Sequence, residues 1–151
     1  MRGRRSGIPG DSFWQVHTQA AGGSVDAVEA DAAANRSARR ALHDLPQVHL
    51  HAADVRTWLS TAPGRPDGVV LDPPRAGAGP AIVDAIAERA VPRVVYVACD
   101  PAALARDVAL LRAHGYRLAG IEAYDAFPMT HHVETIALLA KTGDSLTYGD
   151  A

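Results

Sequence analysis

From Gly23 onward, short apolar runs alternate with longer segments of helical period. Residues 24–29, 47–52, 68–72 and 93–98 read as strands, and Arg93 to Ala98, branched and apolar throughout its length, has the pattern of a strand buried on both faces of a parallel sheet. The spacing between and after them predicts helices over 31–43, 55–60, 79–90 and 101–114. Asp100 is a good N-cap for the last of these, and Pro101 suits the first helical position, where its missing N–H costs nothing. Two closing strands are expected near 116–124 and 132–140; a turn joins them, so they are expected to be antiparallel to each other. Alternation of this kind predicts an α/β sheet with crossover helices on both faces. Residues 1–11, rich in Gly, Arg and Ser, read as a flexible leader. The alanine-rich stretch Ala32 to Leu42 carries Arg36, Arg39 and Arg40, expected as the solvated basic face of a helix.

At 151 residues the chain is long enough for one domain with a real core. A formal net charge of −2 supplies no general attraction to nucleic acid, and the dense basic run is Met1-Arg2-Gly3-Arg4-Arg5, either a phosphate contact or a solvated end. A single cysteine rules out an intramolecular disulfide. No signal peptide or membrane-length apolar stretch is seen, so the expected location is cytoplasmic. No metal is expected.

The single cysteine, Cys99, falls at the tip of an apolar strand where a helix begins. Backbone N–H groups and the positive end of a helix dipole favour a thiolate there, and ligands bind at the carboxyl ends of strands in open α/β sheets. The alternative is a small buried hydrophobe. Glu134 opens the last strand after a turn rich in Pro, Thr and His; it is either a proton acceptor tuned by desolvation or a solvated surface glutamate. Glu29 ends the first strand, where a carboxylate can accept hydrogen bonds from ribose hydroxyls.

Three segments occur in order: Asp72-Pro73-Pro74-Arg75-Ala76-Gly77, Ala98-Cys99-Asp100-Pro101-Ala102-Ala103-Leu104-Ala105-Arg106-Asp107, and Phe127-Pro128-Met129-Thr130-His131-His132-Val133-Glu134. Together they resemble the signature loops of the S-adenosylmethionine-dependent RNA 5-methyluridine methyltransferases, and the likeness runs from Gly23 to Lys141. Phe13-Trp14-Gln15-Val16-His17 is similar to a further, weaker family segment. The resemblance implies a Rossmann-like class I methyltransferase sheet, mostly parallel with an antiparallel C-terminal strand pair. It also implies methyl transfer from S-adenosylmethionine to carbon 5 of a uridine in tRNA or ribosomal RNA. Cys99 would be the nucleophile that adds to carbon 6, and Glu134 the base that removes the carbon 5 proton. The target base would leave its stack to be reached. By the same resemblance Gln15 touches the methionine part of the cofactor, Glu29 the ribose, and Asp72 lies between cofactor and base. Asp54 matches the position beside the adenine amino group, with capping of the helix at 55–60 as the alternative.

Family members carry a further strand and a glycine loop between the Phe-x-Gln segment and the acidic-ended strand. Here Gln19-Ala20-Ala21-Gly22-Gly23 joins the two directly. The strand concerned is central, so the sheet is expected to lack it, and its neighbours need rearrangement, a partner chain or a missing segment to pair. The expected organisation is therefore a leader over 1–22 with a remnant of the Phe-x-Gln segment, then a partial catalytic domain over 23–151. Two alternatives to an active enzyme stand. One is a catalytically inactive remnant that binds RNA or protein. The other is an amino-directed methyltransferase, which Arg75 argues against because those enzymes place a base-stacking aromatic residue there.

Overall fold

The computed structural model of the chain describes residues 23–124 and 133–143. Gln15 with the rest of 1–22, where a leader is expected, and 125–132, where a turn is expected, lie outside the described residues. In chain order the elements are β1 (Val25–Glu29), α1 (Ala32–Ala41), β2 (Val48–Ala52), α2 (Val55–Thr61), β3 (Val69–Leu71), α3 (Gly79–Glu88), β4 (Arg93–Ala98), α4 (Pro101–Ala113), β5 (Tyr116–Tyr124) and β6 (Glu134–Lys141). Each expected element is present, its ends within two residues of the expected ones. Local chemistry explains the starts and stops. Asp31 caps α1 by accepting from the Ala34 N–H at 2.6 Å. Asp100 caps α4 by accepting from the N–H groups of Ala102 and Ala103 at 2.9 and 2.8 Å. Gly115, at φ +83°, takes the left-handed conformation just past the end of α4.

The chain divides into two compact units, Met1–Thr61 and Ala62–Ala151. In the first, β1 and β2 form a parallel pair in register from Val25↔Val48 to Glu29↔Ala52. The second holds a four-stranded sheet of order β3-β4-β6-β5. Here β3 is parallel to β4, and β6 lies between β4 and β5, antiparallel to both. Thus β3, β4 and β5 share one direction and β6 opposes them. The antiparallel closing pair is as expected; its insertion beside β4 is a tertiary result. Among the described residues β1 pairs only with β2 and β3 only with β4, so each strand keeps an unpaired edge.

The second unit closes around Val83 and Ile86 of α3, Leu111 of α4, Val94 and Tyr96 of β4, and Leu139 of β6, all fully buried. Tyr116 anchors the start of β5 by donating its hydroxyl proton to the Val91 carbonyl at 2.7 Å. Burial of β4 matches the apolar pattern of Arg93 to Ala98, but the purely parallel setting does not hold, because one of its two neighbours is the antiparallel β6. No helix among the described residues is long and apolar enough to cross a membrane.

Candidate functional site

The candidate site grows from one end of the four-stranded sheet. The last parallel pair between β3 and β4 is Leu71↔Tyr96, and Asp72 follows it. The last antiparallel pair between β4 and β6 is Ala98↔Thr135. Cys99 is the next residue outward from β4 and Glu134 the next along β6, so the register brings these two residues to neighbouring positions. Cys99 is half-buried rather than sealed in the core. Pro73, Pro74, Arg75, Tyr96 and Cys99 line a shallow crevice, whose described walls enclose no room for a water molecule.

Electrostatics ties the same corner together. Desolvation, and secondarily the negative charge of Glu134, raises the Asp72 carboxyl to about 6. A second feature concerns the helix start beside Cys99. The first free amides of α4, on Ala102 and Ala103, are already taken by the Asp100 carboxylate, and Pro101 has none. They are therefore not available to a thiolate at Cys99.

Beneath the crevice lies a buried polar group that no motif had singled out as functional. Tyr96 donates its hydroxyl proton to Asp107 Oδ2 at 2.6 Å, and the Ala78 N–H donates to the same oxygen at 2.7 Å. The available signal was Asp107 on the face of α4 that carries Ala103, Leu104 and Leu111, a charge where the helical period demands an apolar residue.

In the first unit, Glu29 ends β1 and its Oε1 accepts from the Asp31 N–H at 2.7 Å. Asn35, 4% exposed, donates from Nδ2 to the Glu29 carbonyl at 2.6 Å and to the Asp31 carbonyl at 3.0 Å. That side chain fastens the turn that orients Glu29, and an asparagine inside a helical alanine run was its sequence signal. Asp54 does act as a cap: its Oδ1 accepts from the N–H and the hydroxyl of Thr57 at 2.9 and 3.0 Å. The Thr57 N–H, then its hydroxyl, hold the Asp54 carboxyl below the usual carboxylate value. Thus Cys99, Glu134 and Asp72 come together in the second unit. Glu29 and Asp54 lie at and just beyond the carboxyl ends of β1 and β2 in the first.

Residues 65–142 match the family described as tRNA (uracil-5-)-methyltransferase. An uncharacterized RNA methyltransferase of Bifidobacterium longum is 46% identical over 119 residues, which cover 76% of this chain and 27% of that protein. Among solved structures, the tRNA (uracil-54, C5)-methyltransferase of Pyrococcus abyssi, in complex with S-adenosyl-L-homocysteine, superposes with a TM-score of 0.68 at 34% identity, over 80% of this chain and 29% of that one. The precorrin-6y C5,15-methyltransferase of Geobacter metallireducens shares the fold alone, with a TM-score of 0.62 at 21% identity over 79% of this chain and 68% of that one. The architecture is thus the class I Rossmann-like methyltransferase fold. The chain spans less than a third of the length of the curated relatives it matches. With the family match covering more than half of its residues, the chain belongs to the tRNA (uracil-5-)-methyltransferase family.

Proposed function

We propose that this chain carries the catalytic groups for methylating carbon 5 of a uridine in RNA, either tRNA or ribosomal RNA, with S-adenosylmethionine as cofactor. The observation that carries this is the juxtaposition of Cys99 and Glu134 one step beyond the Ala98↔Thr135 pair. Carbon 5 of uracil is a weak nucleophile, and a thiol beside a carboxylate overcomes that in two moves. The Cys99 sulfur, as thiolate, bonds to carbon 6, and the electron pair of the 5,6 double bond moves to carbon 5, which would then take the sulfonium's methyl group while the C–S electron pair stays on the departing neutral thioether. Glu134 then accepts the carbon 5 proton. The C–H electron pair restores the double bond and expels Cys99 as thiolate.

The residues present fit the cofactor through their acceptor chemistry. Glu29 is a carboxylate at a strand end, oriented by the Asp31 amide, as a ribose diol requires. Asp54 is the candidate adenine contact in addition to its capping role, Asp72 faces the boundary between cofactor and base, and Gln15 is assigned to the methionine part. When bound, S-adenosylmethionine supplies an electrophilic methyl group on a sulfonium. The cytoplasm is the proposed location.

Radiolabelled methyl transfer to unmodified tRNA and ribosomal RNA tests the proposal. The wild-type chain should incorporate label, while Cys99→Ala should lower incorporation by about a thousandfold or more, the scale of losing a covalent nucleophile. RNA carrying 5-fluorouridine has no carbon 5 proton to remove, so it should remain covalently attached through Cys99. Glu134→Gln should likewise accumulate methylated adduct. No incorporation above the Cys99→Ala control, where a full-length relative works, sinks the proposal. Among the described residues β1 and β3 each keep an unpaired edge, which supports a second possibility, an inactive remnant that binds RNA or a protein partner. Retained RNA binding without label transfer or adduct would select it.

A further inference from the structure

Helix α3 begins without an acceptor of its own: its N-cap position is Ala78, whose side chain makes no capping bond. The missing acceptor comes from α4. Asp107 Oδ2 accepts from the Ala78 N–H at 2.7 Å, from the Gly79 N–H at 3.2 Å and from the Tyr96 hydroxyl at 2.6 Å. Asp107 and Tyr96 are both 0% exposed. A carboxylate stripped of water is tolerable only when donors replace its hydration, and three donors converge here on one oxygen. The other oxygen, Oδ1, has no hydrogen bond and lies 3.7 Å from Arg106 Nε. Burial, and then the bond to Asp107, push the Tyr96 phenol upward, so it remains a donor at any working pH.

The neighbouring backbone is fitted to this group. Arg106 donates to the Ala76 carbonyl. Gly77 lies between, at φ +85°, and a Cβ there would stand 2.5 Å from Asp107 Oδ2 and 2.9 Å from Arg106 Nη2. Only glycine satisfies both the conformation and the approach. Residues 76–79 are thus laid directly on two side chains of α4. The stretch 73–75 immediately before them lines the crevice together with Cys99, just ahead of α4. Helix α4 therefore carries the cysteine turn at its start and, about two turns on, the carboxylate that holds the backbone of Ala78 and Gly79.

Resting on the proposed function, we infer that Asp107, with Tyr96 and Arg106, is a positioning device that locks the Asp-Pro-Pro-Arg loop to the cysteine turn, so that loop and thiol keep a fixed relation before substrate binds. A plain structural cap would stabilise α3 and leave the thiol's surroundings unchanged. A positioning device must alter the chemistry at Cys99 when it is loosened.

The test uses the full chain with Tyr96→Phe, Asp107→Asn and Asp107→Glu. Three readouts are followed: amide hydrogen exchange at Ala78 and Gly79, the alkylation rate of Cys99, which is the single thiol, and methyl transfer to unmodified tRNA. Tyr96→Phe removes one donor and keeps the ring. It should speed exchange at Ala78 by about fivefold, the equivalent of one hydrogen bond. It should change Cys99 alkylation by about threefold or more and lower kcat by about tenfold, with the KM for RNA nearly unchanged. Asp107→Asn should act more strongly in the same direction, and Asp107→Glu should recover part of the loss. Should Asp107→Asn fail to fold, Tyr96→Phe decides. Faster exchange with unaltered alkylation and kcat would reduce the group to a helix cap and overturn the inference, as would unaltered exchange. If the wild-type chain transfers no methyl, the proposed function falls, and exchange and alkylation still decide the positioning role.

Discussion

In the unit spanning 62–151, Val83, Ile86, Val94, Tyr96, Leu111 and Leu139 are fully buried around a four-stranded sheet. Among the described residues of the other unit the ladder has two strands, and the most buried side chains, Ala34 and Asn35, retain 4% exposure. The candidate chemistry divides along the same line. Cys99, Glu134 and Asp72 sit on strand ends with a dense core behind them and a buried carboxylate bracing the adjacent loop. Glu29 and Asp54 are held by bonds within their own turns, from Asp31, Asn35 and Thr57. Groups that must meet within a fraction of an ångström for covalent chemistry thus rest on tertiary packing, while groups that would hold a nucleoside rest on local capping. A two-stranded ladder is marginal alone, so the first unit depends on its helices for order.

The widest gap between the units should appear on core truncation. Leu139→Ala removes a fully buried side chain and should cost about 3 kcal/mol, whereas Leu50→Ala, at a half-buried position on β2, should cost about 1 kcal/mol. Urea denaturation measures both, and equal costs would erase the contrast. A smaller effect concerns the carboxylates of the second unit. Asp72 is raised to about 6 by desolvation and by Glu134. A carboxyl raised on folding disfavours the folded state above its folded pKa, and the penalty disappears as pH falls from about 6 to the ordinary value of 3.8. Acidification from neutrality to pH 5 should therefore remove part of a destabilising contribution, and because Asp72 is exposed the gain should stay below about 1 kcal/mol. Glu134→Gln should bring the Asp72 midpoint down in a carboxyl NMR titration; an unmoved midpoint would separate the two groups. The smallest effect lies in the first unit. Asp54→Ala should fray the start of α2 and speed amide exchange at Thr57, while Asp54→Asn preserves the cap. Because the Asp54 carboxyl is lowered on folding, its contribution is present above the ordinary carboxylate range and lost as pH falls through the lowered value. Exchange spreading into the second unit would contradict the local character of that cap.

Much of this was legible in the residues alone. Strands and helices follow from periodicity, and the ends of α1 and α4 follow from Asp31, Asp100 and Pro101, because caps act over three or four residues. Cys99 and Glu134 could be named because each stands at a strand end. Asp54 could not be resolved between cap and ligand, and the coordinates establish the cap. At Cys99 the start of the helix and its Asp100 cap were legible, and the structure adds that this carboxylate occupies the amides of both Ala102 and Ala103.

The amino-acid order, then, determined which segments become strands and helices and which residues bear reactive groups, since these depend on neighbours a few positions apart. Tertiary structure alone decided that β6 enters between β4 and β5, that Glu134 is brought level with Cys99, and that Asp107 caps a helix 28 residues away in the chain, at Gly79. Strand order and buried carboxylates are settled by long-range burial and by the requirement that every desolvated charge find donors, and neither is written in a local pattern.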